Sequence, residues 1–258
     1  MKLGNPLESA IIKKYPDGNV RQWFGENPEL YQQAIGMKHH NGIDIALPQP
    51  CNVLAATSGR CYDIKDSPNG YGKHVRIISE ADEDGIYYET TYGHLDAIFI
   101  HREGQVVSVC EKLGAEGNTG FVISGGTPFW GNAPGNKGVH LHFGLRLLTD
   151  KPTGWQSLIL GKTYYVLNYE NGTNGQIDPR PYLRHLILSD NAVEYLKNNE
   201  NKLVQNATTG EIGIIKGGEV LVTSSERAGL LALTTIIRTG GGGAVPQELW
   251  DEFPKEDF

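Results

Sequence analysis

The chain contains few cysteines: Cys51, Cys61 and Cys110 are the three among its 258 residues. They form no C-x-x-C pair, and an odd number argues against a complete disulfide framework. We therefore predict that all three are buried small side chains. A bridge between Cys51 and Cys61 is the alternative. If these residues flank a tight turn near Ser58 and Gly59, however, their offsets from the turn differ, so they would not face each other.

The chain also lacks an excess of basic residues and any long apolar segment. It has 23 Lys and Arg against 30 Asp and Glu, a formal net charge of −7. Binding to the phosphates of a nucleic acid requires a basic surface, so no nucleic-acid partner is expected. A run of about 18 apolar residues, the minimum for a membrane span, does not occur. The N-terminal residues lack the apolar segment of a secretory signal.

Glycine is abundant instead, with 33 residues, and 13 prolines accompany it. This composition favours short strands joined by tight turns. Short apolar-rich segments alternate with turn signals over residues 53–120, and residues 139–148 (VHLHFGLRLL) have the same strand-like character. We therefore predict a mainly β domain with two antiparallel sheets over residues 1–185.

Two other segments of this domain stand out. Residues 121–137 are rich in Gly, Pro and Asn and include Phe129 and Trp130. We predict a long loop here, whose aromatic residues either form the wall of a groove or fix the loop to the core. Residues 177–183 (IDPRPYL) are predicted to be a strand end and a turn that close the domain.

Residues 186–258 differ in character, and we predict a small α+β accessory module there. A hairpin around Gly217-Gly218 is expected, with Ile212 and Ile214 facing Val220 and Val222. A capping box at Thr223 is predicted to open a helix that ends near residue 238, and a last short helix is predicted from Pro246. The module is interpreted either as a docking unit or as a structural cap.

Five residues form the chemically informative pattern: His40, Asp44, His94, His140 and His142. On a strand, positions i and i+4 share a face, so His40 and Asp44 are predicted to converge. His140 and His142 would likewise share a face. Two imidazoles and a carboxylate suit zinc and leave one tetrahedral position open. From spacing alone, incidental packing of these histidines remains an equal alternative.

Four motifs in order add to this pattern: HNGIDIALP at residues 40–48, YGHL at 92–95, GNTG at 117–120 and HLHF at 140–143. With them, the chain from about residue 20 to residue 183 resembles the lysostaphin-type, or LytM-type, zinc endopeptidases of bacterial peptidoglycan.

The resemblance implies a function and a set of roles. It implies that His40, Asp44 and His142 bind one zinc ion and that His94 and His140 are catalytic, without dividing the roles of general base and oxyanion stabiliser between those two. The implied reaction is hydrolysis of peptide bonds in the stem or cross-bridge of peptidoglycan.

Two rival interpretations stay open. The first is an inactive member of the family that binds the wall or activates another hydrolase, although such members usually lack at least one of the five residues. The second is a plain β binding module, which should purify without stoichiometric zinc.

Two departures from the family pattern concern positions near the site. Gly144 stands where the family often has an acidic residue, and residues 121–137 are longer than the usual link before HLH. The resemblance also implies action on the cell wall, outside the cell or in the periplasm. Because no signal is visible, we expect delivery on a virion, release at lysis, or a leader outside this sequence.

Overall fold

The computed structural model describes residues 3–8, 10, 12–183 and 198, together with strands between residues 203 and 257. The chain divides into two compact units, Met1–Arg184 and His185–Phe258. Among the described residues, no helix combines the length and apolar character needed to cross a bilayer.

The first unit consists mainly of short strands, as the sequence predicts. In chain order, its described elements are β1 (Val20–Gln22), α1 (Pro28–Ile35), β2 (Ile43–Ile45), β3 (Asn52–Leu54), β4 (Gly59–Lys65), β5 (His74–Ile78), β6 (Ile86–Gly93), β7 (Ala97–Ile98), β8 (Val106–Val107), β9 (Lys112–Ala115), β10 (Val122–Ser124), β11 (Thr127–Phe129), β12 (Leu141–Thr149), β13 (Gln156–Ile159), β14 (Lys162–Val166), the 3₁₀ helix η1 (Tyr169–Asn171) and β15 (Gln176–Ile177).

Two larger antiparallel sheets and the separate two-stranded β10–β11 sheet form this unit, which confirms the predicted mainly β, antiparallel fold class. The larger sheet has the order β1-β2-β12-β6-β5-β4-β8, and β13, β14 and β15 extend it beside β12. The smaller sheet has the order β3-β9-β7. Strand β12 is central because it pairs with β2, β6, β14 and β15 along its length.

The two faces of β12 have different roles. Leu141, Phe143 and Leu145 are fully buried and form part of the apolar core. Because successive side chains of a strand point to opposite faces, His142 and Arg146 project from the other face, where both line a groove. The alternation in the sequence therefore places the core on one side of this strand and the polar groove on the other.

The segment 121–137 is not the plain loop that the sequence predicts. It contains a hairpin in which β10 pairs with β11, with Val122 opposite Phe129. Gly125 and Gly126 both have positive φ, of 57° and 77°, and form the turn. Glycine adopts such angles without steric cost, which explains how so glycine-rich a segment forms a tight hairpin.

The prediction for the cysteines is wrong in part. No disulfide joins any of the three, but only Cys61 is buried, whereas Cys51 is half-buried and Cys110 is exposed. Cys51 directly precedes β3 of the smaller sheet, and Cys61 lies in β4 of the larger sheet. The alternative Cys51–Cys61 bridge is absent. Strands β3 and β4 belong to different sheets, so the two cysteines do not flank one hairpin.

The N- and C-terminal ends of the first unit meet, as the segment 177–183 predicts. Leu183 forms a β-bridge with Leu3, and the backbone N–H of Leu3 donates to the carbonyl of Tyr182 at 2.7 Å. Helix α1 was not anticipated. Its start follows from Pro28, whose fixed φ suits the first helical turn, and its end from Gly36 at φ 69°.

The second unit contains β16 (Leu203–Asn206), β17 (Ile212–Lys216), β18 (Glu219–Val222), β19 (Ala244–Val245) and β20 (Lys255–Asp257). The predicted hairpin is confirmed, since β17 and β18 are antiparallel. Its register is shifted from the expected one, with Ile214 opposite Leu221. The helices predicted from Thr223 and from Pro246 lie outside the described residues.

Candidate metal and catalytic centre

His40 and Asp44 converge, but not because they share one strand. Asp44 is the central residue of β2, whereas His40 lies in the loop before it. That loop is fixed by its backbone: the N–H of His40 donates to the carbonyl of Glu26 at 3.0 Å, and its carbonyl accepts from the N–H of Gly25 at 3.0 Å. The two side chains meet as predicted, but the predicted reason is wrong, because His40 does not lie on the same strand as Asp44.

Strand pairing brings His142 to the same point. In the register of β2 and β12, His142 lies opposite Asp44. Asp44 Oδ1 lies 3.0 Å from His40 Nε2 and 3.0 Å from His142 Nδ1, and the two ring nitrogens are 3.1 Å apart. These three buried residues form a cluster that could hold a metal ion, with one donor atom from each residue.

This triangle fits zinc. Tetrahedral zinc with bonds of about 2.0–2.1 Å separates its ligand atoms by about 3.3 Å, which is close to the three distances here. Imidazole nitrogen and carboxylate oxygen are also among the donors that zinc prefers. The donor set and its spacing therefore suit this ion.

The hydrogen bonds of the rings orient them for this role. His40 Nδ1 donates to the carbonyl of Trp23 at 3.0 Å, so its Nε2 carries the lone pair that faces Asp44. At Gly42, an added Cβ would lie 2.6 Å from His142 Nε2. Glycine is therefore required in the HNGID motif, since any side chain there would displace a ring of the triad.

His94 and His140 lie beside the triad. Their ring centroids are 4.7 Å apart, and His140 Nε2 is 3.7 Å from Asp44 Oδ1. His94 Nδ1 donates to the carbonyl of Thr119, and His140 Nδ1 donates to that of Gly138, each at 2.7 Å. In the neutral rings, both Nε2 atoms therefore carry lone pairs that are available to accept a proton.

The backbone explains two of the sequence motifs. His94 follows directly after β6 with a φ of 62°, which turns its side chain away from the direction of the strand. The GNTG motif supplies Thr119, whose carbonyl holds His94 and whose Oγ1 donates to the carbonyl of Leu95 at 2.9 Å. YGHL and GNTG thus act together to fix one imidazole.

The electrostatics favour the protonation states that a metal requires. Burial opposes ionisation of Asp44, but the adjacent His40 and His140 hold the pKa of its carboxyl well below the usual range. Burial, together with His140 and His142, holds the pKa of His94 well below its usual range. Burial also lowers the pKa of His142. An ionised Asp44 beside a neutral His142 is the form in which these two groups bind a metal.

The remaining described histidines are elsewhere. His39 packs edge-on against Phe24, with ring centroids 4.7 Å apart. His74 is buried and donates to the carbonyl of Gly72 at 2.9 Å, and His101 is exposed. His185 lies outside the described residues.

Sequence reasoning missed two aromatic residues that contact the triad and a third residue that binds one of them. The ring of Tyr31 lies 5.3 Å from that of His40, and the ring of Tyr71 lies 5.0 Å from that of His142. Asn41 donates from Nδ2 to the Tyr71 hydroxyl at 2.6 Å. Asn41 lies inside the HNGID motif, but nothing in the sequence indicates that Tyr71, thirty positions away, is its partner.

All five predicted residues lie in or beside one open groove of about 1010 Å³ in the first unit. Asp44, His94, His140 and His142 line it, and the β10–β11 hairpin contributes residues to one side. Phe129 and Trp130, which were the predicted wall, are not among the lining residues, and the segment reaches the groove through residues 121–126 and Asn136 instead.

The segment that contains this centre is similar to a known protein family. Residues 38–153, which contain all five residues, match the sequence profile of peptidase family M23. Over this segment, which is less than half of the chain, the protein is similar to peptidase family M23. The matched M23 segment extends from just before the metal triad to just beyond β12.

Solved structures with a similar fold include the lysostaphin catalytic domain from Staphylococcus simulans, at 20% identity and a TM-score of 0.37, covering 57% of this chain and 80% of that one. A zinc-containing peptidase from Vibrio cholerae has 25% identity and a TM-score of 0.36, and the match covers 55% of this chain and 37% of that one. A mutant catalytic domain of a prophage-encoded M23 protein from Enterococcus faecalis has 24% identity and a TM-score of 0.36, and the match covers 57% of this chain and 98% of that one. No curated protein matches the chain.

Proposed function

We propose that this protein is a zinc-dependent endopeptidase that hydrolyses peptide bonds in the stem or cross-bridge of bacterial peptidoglycan. The observation that carries the proposal is the triangle of His40 Nε2, Asp44 Oδ1 and His142 Nδ1, with sides of 3.0, 3.0 and 3.1 Å. Two further imidazoles with available lone pairs lie next to it. The family match over residues 38–153 supports a metallopeptidase at the family level.

Each residue of the centre has a role in the proposed reaction. His40, Asp44 and His142 would hold the zinc ion, which supplies a Lewis acid for the scissile carbonyl and a water of lowered pKa. His94 and His140 present Nε2 to the same space, so one ring accepts a proton from the attacking water. The other ring donates a hydrogen bond to the developing oxyanion or a proton to the leaving amine.

The buried setting supports this chemistry. His94 is 6% exposed, and its lowered pKa keeps it neutral near pH 7. A neutral imidazole accepts a proton, whereas an imidazolium cannot. The site therefore supplies a general base without requiring an alkaline medium.

The direct test is digestion of purified peptidoglycan of several cross-bridge chemotypes by the full chain, followed by mass analysis of the fragments. We expect new free amino groups at one peptide bond type, loss of this product after chelation, and recovery with added zinc. An unchanged wall in all chemotypes, with zinc bound at one per chain, would instead favour the inactive wall-binding or hydrolase-activating member of the family.

The location and the second unit form part of the same proposal. The substrate lies outside the cell membrane, so the enzyme would act on the wall from outside or from the periplasm. Virion association, release at lysis or a leader outside this sequence would each deliver it. Residues 186–258 are proposed to dock the enzyme to the wall or to a virion protein, with a structural cap as the alternative.

A further inference from the structure

The groove continues from the metal triad along one face of β12. His142, Gly144 and Arg146 follow one another on this face, at steps of two residues or about 7 Å. Gly93, Thr91 and Glu89 of β6 lie opposite them in the same order. The floor of the groove therefore changes over a short distance from metal ligands to a charged region that the proposed reaction does not use.

Cations predominate among the charged side chains that line the groove. The lining includes Arg21, Arg76 and Arg146, and its one carboxylate is the metal ligand Asp44. This contrasts with a chain of net charge −7. Glu89 is fully buried beneath the floor, so it neutralises Arg146 without presenting negative charge to the groove.

Arg76 and Arg146 differ in how much of their hydrogen-bonding capacity is used. Arg146 donates from Nε and Nη2 to the two carboxylate oxygens of Glu89. Arg76 Nε lies 3.4 Å from Asp63 Oδ2 but is too poorly aligned for a hydrogen bond, and it has no partner among the described residues. Asp63 is also shared with Lys65 and His74. The guanidinium of Arg76 therefore retains donors.

Other polar groups surround the same space. Thr91 Oγ1 and Gln176 Oε1 are buried without a hydrogen-bond partner among the described residues. The absence of a side chain at Gly144 lets Gln176 pack against the floor, since an added Cβ would lie 2.9 Å from Gln176 Oε1. The Tyr71 hydroxyl accepts from Asn41, so its own proton can be donated to a further group. Buried polar atoms without partners are costly. An acceptor group of a substrate would satisfy Thr91 Oγ1, and a backbone N–H of a substrate would satisfy Gln176 Oε1.

We infer that this region of the floor, formed by Arg76, Tyr71, Thr91, Gly144 and Gln176, is a carboxylate-binding subsite. Arg76 binds a free carboxylate of the peptide within about two residues of the scissile bond, since the subsite lies one two-residue step along β12 from His142. The inference rests on the proposed function and adds to it a substrate class: peptides with a free carboxylate next to the cleaved bond. That carboxylate belongs either to a side chain or to the C-terminus.

The test compares matched synthetic peptides that differ in one group. One pair carries a side-chain carboxylate or carboxamide beside the scissile bond, and another carries a free or amidated C-terminus at the same distance. For the holoenzyme we expect a tenfold to hundredfold higher kcat/KM, mainly through KM, for the carboxylate member of one pair, about what a charge-assisted hydrogen bond contributes. The pair that shows it identifies the source of the carboxylate.

Variants assign the effect to the subsite. Arg76→Gln should abolish the preference, Arg76→Lys should retain part of it, and Arg60→Gln, which removes an exposed cation on β4, should leave it unchanged. Gly144→Asp places a carboxylate on the floor and should also abolish the preference, so the test stands even if Arg76→Gln does not fold.

Binding supplies a readout that does not depend on turnover. Calorimetry with the zinc-free full chain should show the same carboxylate preference and its loss in Arg76→Gln. Equal kcat/KM and equal binding within both pairs, or a preference that survives in both Arg76→Gln and Gly144→Asp, would overturn the subsite while leaving the proposed function intact. Failure to cleave any peptide or wall would overturn the proposed function, and the binding preference would still decide the subsite.

Discussion

Arg146 and Glu89, directly opposite each other on β12 and β6, form a buried ion pair with two hydrogen bonds. Arg146 Nε and Nη2 donate to Glu89 Oε1 and Oε2 at 2.6 and 2.5 Å. Glu89 has no exposed surface, and Arg146 is 9% exposed. The pair links the two longest strands of the larger sheet below the groove.

Removal of one partner should strongly destabilise the first unit. We expect Glu89→Ala to lower the free energy of unfolding by about 3–5 kcal/mol, because it leaves the Arg146 charge buried without compensation. Urea denaturation followed by tryptophan fluorescence measures this. Glu83→Ala, at an exposed turn position, is the control and should change stability by less than about 0.5 kcal/mol. A similar small loss in Glu89→Ala would mean that water already compensates Arg146.

His142→Ala should abolish both zinc binding and activity. It removes one corner of the ligand triangle and leaves two donors, which is too few for a stable site. Zinc content by mass spectrometry, measured against His101→Ala at an exposed position, tests this. One zinc per chain in His142→Ala would remove this residue from the ligand set.

Variants of His94 and His140 should keep zinc but lose turnover. We expect a fall in kcat of about a hundredfold to ten-thousandfold for each, since both lie beside the triad and neither belongs to it. His94→Asn is preferable to His94→Ala, because residue 94 has a φ of 62° and asparagine tolerates this conformation better than alanine. Wild-type turnover in either variant, with zinc bound, would show that the residue is not catalytic.

The pH dependence of stability should change in Glu116→Gln. Burial raises the pKa of Glu116 from 4.5 to about 7, and its Oε2 has no hydrogen-bond partner among the described residues. A raised carboxyl pKa in the folded state contributes stability that is complete below about pH 4.5 and is lost as the pH rises to about 7.

The difference in unfolding free energy between Glu116→Gln and the wild type should therefore shift in favour of the variant. We expect a shift of about 3 kcal/mol between pH 4.5 and pH 7 and no further change above it. Glutamine retains the acceptor for the backbone N–H of Leu47, which Glu116 Oε1 now provides at 3.3 Å. Denaturation curves at several pH values measure the shift, and a constant difference across this range would refute the raised pKa.

Truncation after Arg184 tests the proposed role of the second unit. If residues 186–258 dock the enzyme, the truncated chain should stay soluble and cleave fragmented peptidoglycan but bind intact walls poorly. If they are a cap, the truncated chain should be insoluble or strongly destabilised. Sedimentation with intact walls measures binding, and thermal melting measures stability. A truncated chain that binds walls as well as the full chain and melts at the same temperature would contradict both interpretations.

The sequence predicted the class of the fold well, and for a physical reason. Alternation around His142 and a high glycine content constrain the local backbone, and four motifs in fixed order specify the family. The distribution of strands between sheets was not predictable. β3 and β4 are neighbours in the chain yet pair in different sheets, and nothing within either segment encodes the partner strand.

The candidate centre was predicted as a list of residues but not as a geometry. His40 reaches Asp44 from a loop held by Glu26 and Gly25, and these contacts depend on residues fourteen or more positions away. The ring of Tyr71 beside His142 was missed for the same reason. Long-range backbone hydrogen bonds and ring contacts carry no local pattern, so they become visible only in three dimensions.

The alternation of β12 also restricts how this protein can change in evolution. His142 and Arg146 are four residues apart on one face, so inserting or deleting a single residue between them would turn Arg146 toward the apolar core. Their separation can therefore change only by whole steps of two residues, about 7 Å each. Descendants of this chain with a different substrate length should show exchanged side chains at fixed positions of the strand rather than small insertions.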